Sequence, residues 1–159
     1  MTWRGEKTIY DRLFACVPYA LPLVSVIPFG GFLMQQFPPL VLLFQPLSLL
    51  SFIYAKIPFA SLAIFILLLL LVVRNERVPH FIRFNTMQGL LLQMAVFLCG
   101  LFMFNVIEPD LRQNLIVETL FNIIFLSTLA ACIYSIVQSI LGRYAELPGI
   151  SEAVYAQVR

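Results

Sequence analysis

The chain has 159 residues, 61% of them hydrophobic and 11% charged, with a mean hydropathy of +0.94 and a net charge of +2. No soluble domain of this length has enough interior to hide that much apolar side chain, so the composition identifies an integral membrane protein. The basic residues sit beside apolar segments and not on a soluble aromatic surface, which excludes a nucleic-acid-binding class.

No Asp, Glu, Lys, Arg or His occurs between Leu13 and Ala55, Ile57 and Val73, Phe84 and Ile107, or Thr119 and Gly142. A spanning helix needs roughly 20 mainly apolar residues. The expected fold is therefore all-α, a single polytopic domain over residues 1–159 with four transmembrane helices at about 11–34, 57–73, 84–107 and 115–141. Pro18, Pro22 and Pro28 predict a kinked or partly unwound first span, because each ring removes a helical hydrogen bond. The stretch 38–55 is apolar but broken by Pro38-Pro39, Gln45 and Pro46, which predicts a short re-entrant or interfacial segment. Pro58 suits the first turn of the second span. Glu108, Pro109 and Asp110 form an acidic turn between the third and fourth spans, and Pro148-Gly149 breaks the mixed tail.

Positive residues decide between four spans and five. Four spans place Arg4, Lys7, Arg12, Arg74, Arg77, Arg83, Arg143 and Arg159 on one side and Lys56 and Arg112 on the other, 8 against 2. A further crossing by Leu40 to Ala55 makes the split 5 against 5. Short-loop Lys and Arg favour the cytoplasmic side, so four spans with both termini inside is the expected topology.

Arg74 to Gln93 is where charge, proline and amides crowd together. Arg74 and Arg77, with Arg83, form a cytosolic basic loop, and Asn85, Gln88 and Gln93 enter the third span directly after it. At about 100° per residue, Asn85, Thr86, Gln88, Gly89, Gln93 and Gly100 share one side, while Met87, Leu91, Met94 and Leu98 share the other. Lipid gives no reason for such a polar stripe. It serves either as interhelical glue or as the wet lining of a path. Glu118 and Asn122 share a face of the fourth span; Glu118 is either a functional intramembrane carboxylate or a side chain that snorkels to the interface. Helical rise separates the two polar sets. Asn85 lies roughly 35 Å before the acidic turn and Glu118 about 15 Å beyond it, so Asn85 and Gln88 must meet the cytosolic ends of the first or second span, another subunit or a passing chain. Ser127, Ala131 and Ser135 repeat small residues every fourth position, which suits close helix packing.

His80 is the only histidine and has no partner at ligand spacing, so it reads as an interfacial loop residue. Cys16, Cys99 and Cys132 lie far apart in apolar segments and read as buried structural thiols. No nucleophile–base pair or phosphate loop is present, and no span holds paired carboxylates, so neither an enzyme, a metal site nor a cofactor is expected. The polar opening carries no Arg/Ser-rich transit peptide, which suits a bacterial or organelle-encoded protein.

Arg74 to Gln88, reading RN-x-R-V-P-x-F-I-R-F-N-T-M-Q, resembles the signature of the twenty-kilodalton membrane subunit family of the chloroplast inner-envelope protein-import translocon (TIC), in its cyanobacterial or plastid-encoded branch. MTWRG with Asp11 to Leu23, Lys56-Ile57-Pro58-Phe59 and Gly149 to Tyr155 extend the resemblance over nearly the whole chain. It implies a four-helix membrane protein with both termini cytosolic or stromal, in a cyanobacterial plasma or thylakoid membrane or a plastid inner envelope. It further implies a membrane subunit of a protein-translocation or protein-insertion assembly. Its partners would be other membrane subunits in a homo- or hetero-oligomer, the lipid bilayer and a preprotein substrate. The other reading is a non-catalytic structural or assembly subunit of another photosynthetic-membrane complex. Single cysteines introduced at Lys7, Glu76 and Glu146 should label with an impermeant reagent from the cytosolic side and one at Arg112 from the opposite side; labelling of positions 7 and 76 from different faces rules out four spans.

Overall fold

The computed structural model describes residues 7–107 and 114–158. The expected acidic turn at Glu108 to Asp110 and Arg112 lie outside them. All regular structure among the described residues is helical. We number the helices α1 (Ile9–Ser25), α2 (Ile27–Gln36), α3 (Pro39–Lys56), α4 (Ala60–Val73), α5 (His80–Val106), α6 (Leu115–Ile140) and α7 (Ile150–Gln157).

Thr8 and Asp11 start α1 by bonding each other's backbone N–H, at 3.2 Å to Thr8 Oγ1 and 3.0 Å to Asp11 Oδ2, which satisfies two orphan donors. The prolines then act as expected. The chain tightens to a 3₁₀ turn at Val17–Tyr19 and again at Ile27–Gly30, and α1 meets α2 at a bend of 54°. Two glycines let this broken rod sit against its neighbours. A Cβ on Gly89 of α5 would lie 3.0 Å from the Pro18 carbonyl oxygen, and one on Gly30 would lie 2.5 Å from the Phe125 ring of α6.

Three helices, α3, α5 and α6, are long and apolar enough to cross a bilayer, and a fourth crossing exists if the bent α1–α2 pair counts as one. The lengths of α3 and α4 run opposite to the sequence expectation. The segment 38–55 forms a helix of 18 residues, about 27 Å, because Pro46 is absorbed in a 3₁₀ turn at Gln45–Leu47 that needs no amide proton from it. The expected second span, 57–73, begins only at Ala60, after Phe59 takes a left-handed turn with φ 61°. It has nine α-helical residues and then five wound as a π-helix, about 21 Å.

The open end of that π-helix is closed by Arg83, whose Nε donates to the Val73 carbonyl at 2.8 Å. Arg12 Nη1 donates to Ile140 O at 3.4 Å and Lys7 Nζ to Gly142 O, which places cations on the negative end of α6. Lys7 also lies 4.1 Å from the ring centre of Phe81 and 4.3 Å from that of Tyr144. These bonds gather the start of α1, the end of α4, the start of α5 and the end of α6 at one basic end. One core cluster near that end is built on Leu21, Val73, Phe84, Leu90 and Val154, and a second joins Val26, Phe29, Phe44, Val96, Phe121 and Phe125. Leu62, Leu67, Leu98, Phe102, Leu126 and Ile133 point outwards, as lipid-facing residues do.

The two adjacent glycines should respond differently to one methyl group. Gly30→Ala forces the buried Phe125 ring to move and should cost about 1–3 kcal/mol. Nothing lies within 4 Å of a Cβ on Gly31, so Gly31→Ala should be neutral or stabilise by up to about 1 kcal/mol. Thermal unfolding in detergent measures both; equal shifts contradict the packing.

Candidate functional site

The face of α5 with the polar residues is buried. Asn85, Thr86, Gln88 and Gln93 lie inside; of the side expected to face out, Met94 and Leu98 do, whereas Met87 is buried and Leu91 half-buried in the core cluster at the basic end. Asn85 and Gln88 stand three residues apart and flank one point on the helix. Tyr19 is delivered to that point from α1 by the 3₁₀ turn at Pro18 and by the close approach at Gly89.

A connected hydrogen-bonded cluster results. Asn85 Oδ1 accepts from the Tyr19 and Ser139 hydroxyls, each at 2.9 Å, and Asn85 Nδ2 donates to Phe81 O at 2.8 Å. Gln88 Nε2 donates to the Tyr19 hydroxyl and to Ser135 Oγ, each at 3.2 Å. Gln88 Oε1 accepts from Ser151 Oγ at 3.4 Å, and Ser151 Oγ accepts from Leu147 N at 2.6 Å. Four helices therefore meet through two amides: α1, α5, α6 and α7. In hydrocarbon each such bond contributes about 0.6–2 kcal/mol, and leaving any of these groups unpaired costs more.

Gln93, two turns further on, differs. It is 6% exposed, and its Oε1 has no partner; the same holds for the Tyr54 hydroxyl of α3. Both line a groove of about 320 Å³ between α1, α2, α3, α4 and α5, with Ser25, Phe29 and Ser61 among its walls.

The remaining candidates lie elsewhere. Glu118 sits half-buried in the first turn of α6, where Asn114 Oδ1 caps the helix by accepting from Ile116 N at 3.0 Å; a carboxylate there is favoured by the helix dipole. Asn122 follows one turn on, with Oδ1 buried and unpaired. Neither meets the α5 amides, whose partner Ser139 is roughly 31 Å along α6 from Glu118. Arg74 and Arg77 are exposed in the loop, where Asn75 Oδ1 accepts from Arg77 N at 3.0 Å. His80 Nδ1 lies 3.1 Å from the Tyr144 hydroxyl. Cys16, Cys99 and Cys132 are free, and no three metal-ligating side chains converge among the described residues.

Sequence reasoning missed Tyr19, Ser139 and Ser151. The signal for Ser139 was present, since the small-residue series Ser127, Ala131, Ser135 continues to it at the same spacing. Ser127 turns outward and bonds Ile124 O at 3.2 Å, so only the later half of that series meets α5. Nothing local marked Tyr19 or Ser151.

This architecture is that of a polytopic helical membrane protein whose helices are locked by a buried amide cluster. The family model described as "Chloroplast import apparatus Tic20-like" matches residues 5–154. A Tic20 family protein of Synechocystis sp. is 50% identical over 149 residues, covering 94% of this chain and 93% of that one. The Tic20 family protein Ycf60 of Gracilaria tenuistipitata var. liui is 35% identical and covers 97% of this chain and 78% of its own. Protein TIC 20-II, chloroplastic, of Arabidopsis thaliana is 28% identical, with 93% and 72% covered. The chain belongs to the Tic20 family.

Gln88→Leu removes the amide that ties α1, α6 and α7 to α5. It should cost about 1–3 kcal/mol, since the Tyr19, Ser135 and Ser151 hydroxyls each lose a partner. Hydrogen exchange should rise across α7 and the preceding Leu147 amide. Unchanged exchange there means that the cluster does not hold α7.

Proposed function

We propose that the protein is a non-enzymatic membrane subunit of an assembly that translocates or inserts polypeptides. The observation that carries this reading is the match to the chloroplast import apparatus family over residues 5–154, supported by the relative at 50% identity along nearly equal lengths. In this reading four segments cross the membrane: the bent α1–α2 pair, α4 with the turn before it, α5 and α6. Both termini and the Arg74–Arg77 loop lie on the cytosolic side. Support comes from the basic end, where Lys7, Arg12 and Arg83 close helix termini side by side. Ser61 in the first turn of α4 lines a groove together with Gln93 and Phe97 of α5.

Asn85 and Gln88 hold the helices together and have no polar atom left for a passing chain. Gln93 keeps a free acceptor. Arg83 sets the end of α4, Glu118 and Asn122 face the opposite end, and Arg74 and Arg77 offer exposed charge to anionic lipid or an incoming segment.

In-cell crosslinking followed by purification in mild detergent tests the reading. Precursor polypeptides should be recovered with other membrane subunits, and Asn85→Leu with Gln88→Leu should leave membrane insertion intact while lowering that recovery several-fold. Stoichiometric recovery with one photosynthetic-membrane complex and no precursor overturns it in favour of an assembly subunit.

A further inference from the structure

A pocket of about 430 Å³ lies at the basic end, where the start of α1, the end of α6 and α7 come together, and Lys7, Arg12 and Arg143 all line it. Two of these cations are held on one residue. Lys7 Nζ donates to Gly142 O, and a Cβ on Gly142 would lie 3.2 Å from Arg12 Nε and 3.4 Å from Nη2, so the bare Cα is what admits the guanidinium. Gly142 makes the left-handed turn that ends α6, with φ 72°, and Arg143 follows it directly. The Tyr144 ring against Lys7 and the Tyr155 side chain complete the wall.

The positive charge here is only partly used within the protein. Arg12 places one N–H, on Nη1, on the Ile140 carbonyl at 3.4 Å, and its Nε is buried against Gly142 without a partner. The rest of its guanidinium and the exposed Arg143 side chain have no acceptor among the described residues. Glu146, the one carboxylate in the described lining, accepts from the Tyr155 hydroxyl at 3.1 Å and pairs with neither arginine. The carbonyl end of α6 adds only about half an elementary negative charge. Three cations outweigh both. Two guanidinium groups suit an anion with several oxygens to grip, which is the chemistry of a phosphate.

What lies below the pocket decides between a soluble phosphate and a lipid. α1 and α6 run antiparallel there, with Arg12 bonded to Ile140 O and Cys16 Sγ donating to Ile136 O at 3.8 Å. On the inner side of this seam Ser135 and Ser139 reach α5. On the outer side Leu13 and Val17 of α1 and Ile133, Val137 and Ile140 of α6 are exposed. The three α6 residues recur at three- and four-residue steps, so they make an apolar strip about 10 Å long that leads from the pocket into the bilayer. A soluble phosphate has no use for such a strip. An acyl chain does.

We propose that the pocket binds the phosphodiester headgroup of an anionic phospholipid, with one acyl chain laid along the outer side of the α1–α6 seam. Arg12 and Arg143 hold the phosphate, and Lys7 adds charge from the wall behind them. The site needs only that α1 and α6 cross the bilayer, and it is independent of what the assembly carries.

Native mass spectrometry of the full-length protein in neutral detergent, offered equal amounts of phosphatidylglycerol and phosphatidylcholine, tests the site. The parent should retain phosphatidylglycerol in roughly 5- to 25-fold preference. Arg143→Gln breaks no bond in the structure, so thermal unfolding without lipid should match the parent while the preference falls about 5-fold. Arg12→Gln combined with Arg143→Gln should abolish the preference. Lys56→Gln removes a charge that does not line the pocket and should change nothing. Glycerol 3-phosphate, a head without chains, should fail to displace the lipid at equal concentration. No preference in the parent, a preference that survives the double variant, or an equal loss in Lys56→Gln overturns the proposal. Displacement by equimolar glycerol 3-phosphate overturns it too, in favour of a soluble phosphate ligand. None of these outcomes bears on the recovery of precursors by crosslinking, so the translocation reading stands or falls separately.

Discussion

An amide placed in hydrocarbon must find its partners within protein, and this chain places two of them on α5 one turn apart. Much of the basic half of the fold follows from pairing Asn85 and Gln88. The 3₁₀ turn at Pro18 and the bare Cα of Gly89 bring the Tyr19 hydroxyl between them. Ser135 and Ser139, one turn apart on α6, close the second side, and Ser151 of α7 closes the third. A helix broken by prolines is usually a weakness in a bilayer. Here the break is what lets Tyr19 serve two amides at once.

The cations follow a related logic. Lys7, Arg12 and Arg83 each donate to a carbonyl at or beyond the end of a helix, where the backbone has no acceptor role left to play within its own turns. These three cations are thereby kept at one end of the bundle. Along α5 the two halves then differ in character. The half that begins with Arg83 is saturated with partners; the centre at Gln93 is not.

Helical periodicity grouped Asn85, Thr86, Gln88 and Gln93, which are all buried, because a side chain's angular position depends only on its number; Met87, expected on the opposite side, is buried as well. Helical rise also excluded Glu118 as a partner of Asn85, for the same reason. What periodicity lacks is the identity of the neighbour. Tyr19 reads as one more aromatic residue in an apolar run, and Ser151 sits in a tail whose docking depends on the whole fold. The length of α3 was misread because Pro46 was weighed as a breaker, and that of α4 because Pro58 was placed in its first turn. Pro46 fits a 3₁₀ turn and leaves α3 continuous, whereas Pro58 is followed by the left-handed Phe59, which delays the start of α4. The residues that carry the family resemblance, Arg74 to Gln88, include two amides whose partners the sequence around them does not reveal.

With α4 as one of the crossing segments, as proposed above, its shortness has a consequence for the membrane itself. A helix of about 21 Å facing a hydrocarbon layer of about 30 Å leaves some 9 Å unmatched, and its outward residues Leu62, Ile66 and Leu70 anchor lipid only along that reduced height. The bilayer must thin along this flank or admit polar groups deeper than elsewhere, at a cost of a fraction of a kcal/mol per ångström. In the proposed topology this flank is therefore where the lipid barrier is thinnest.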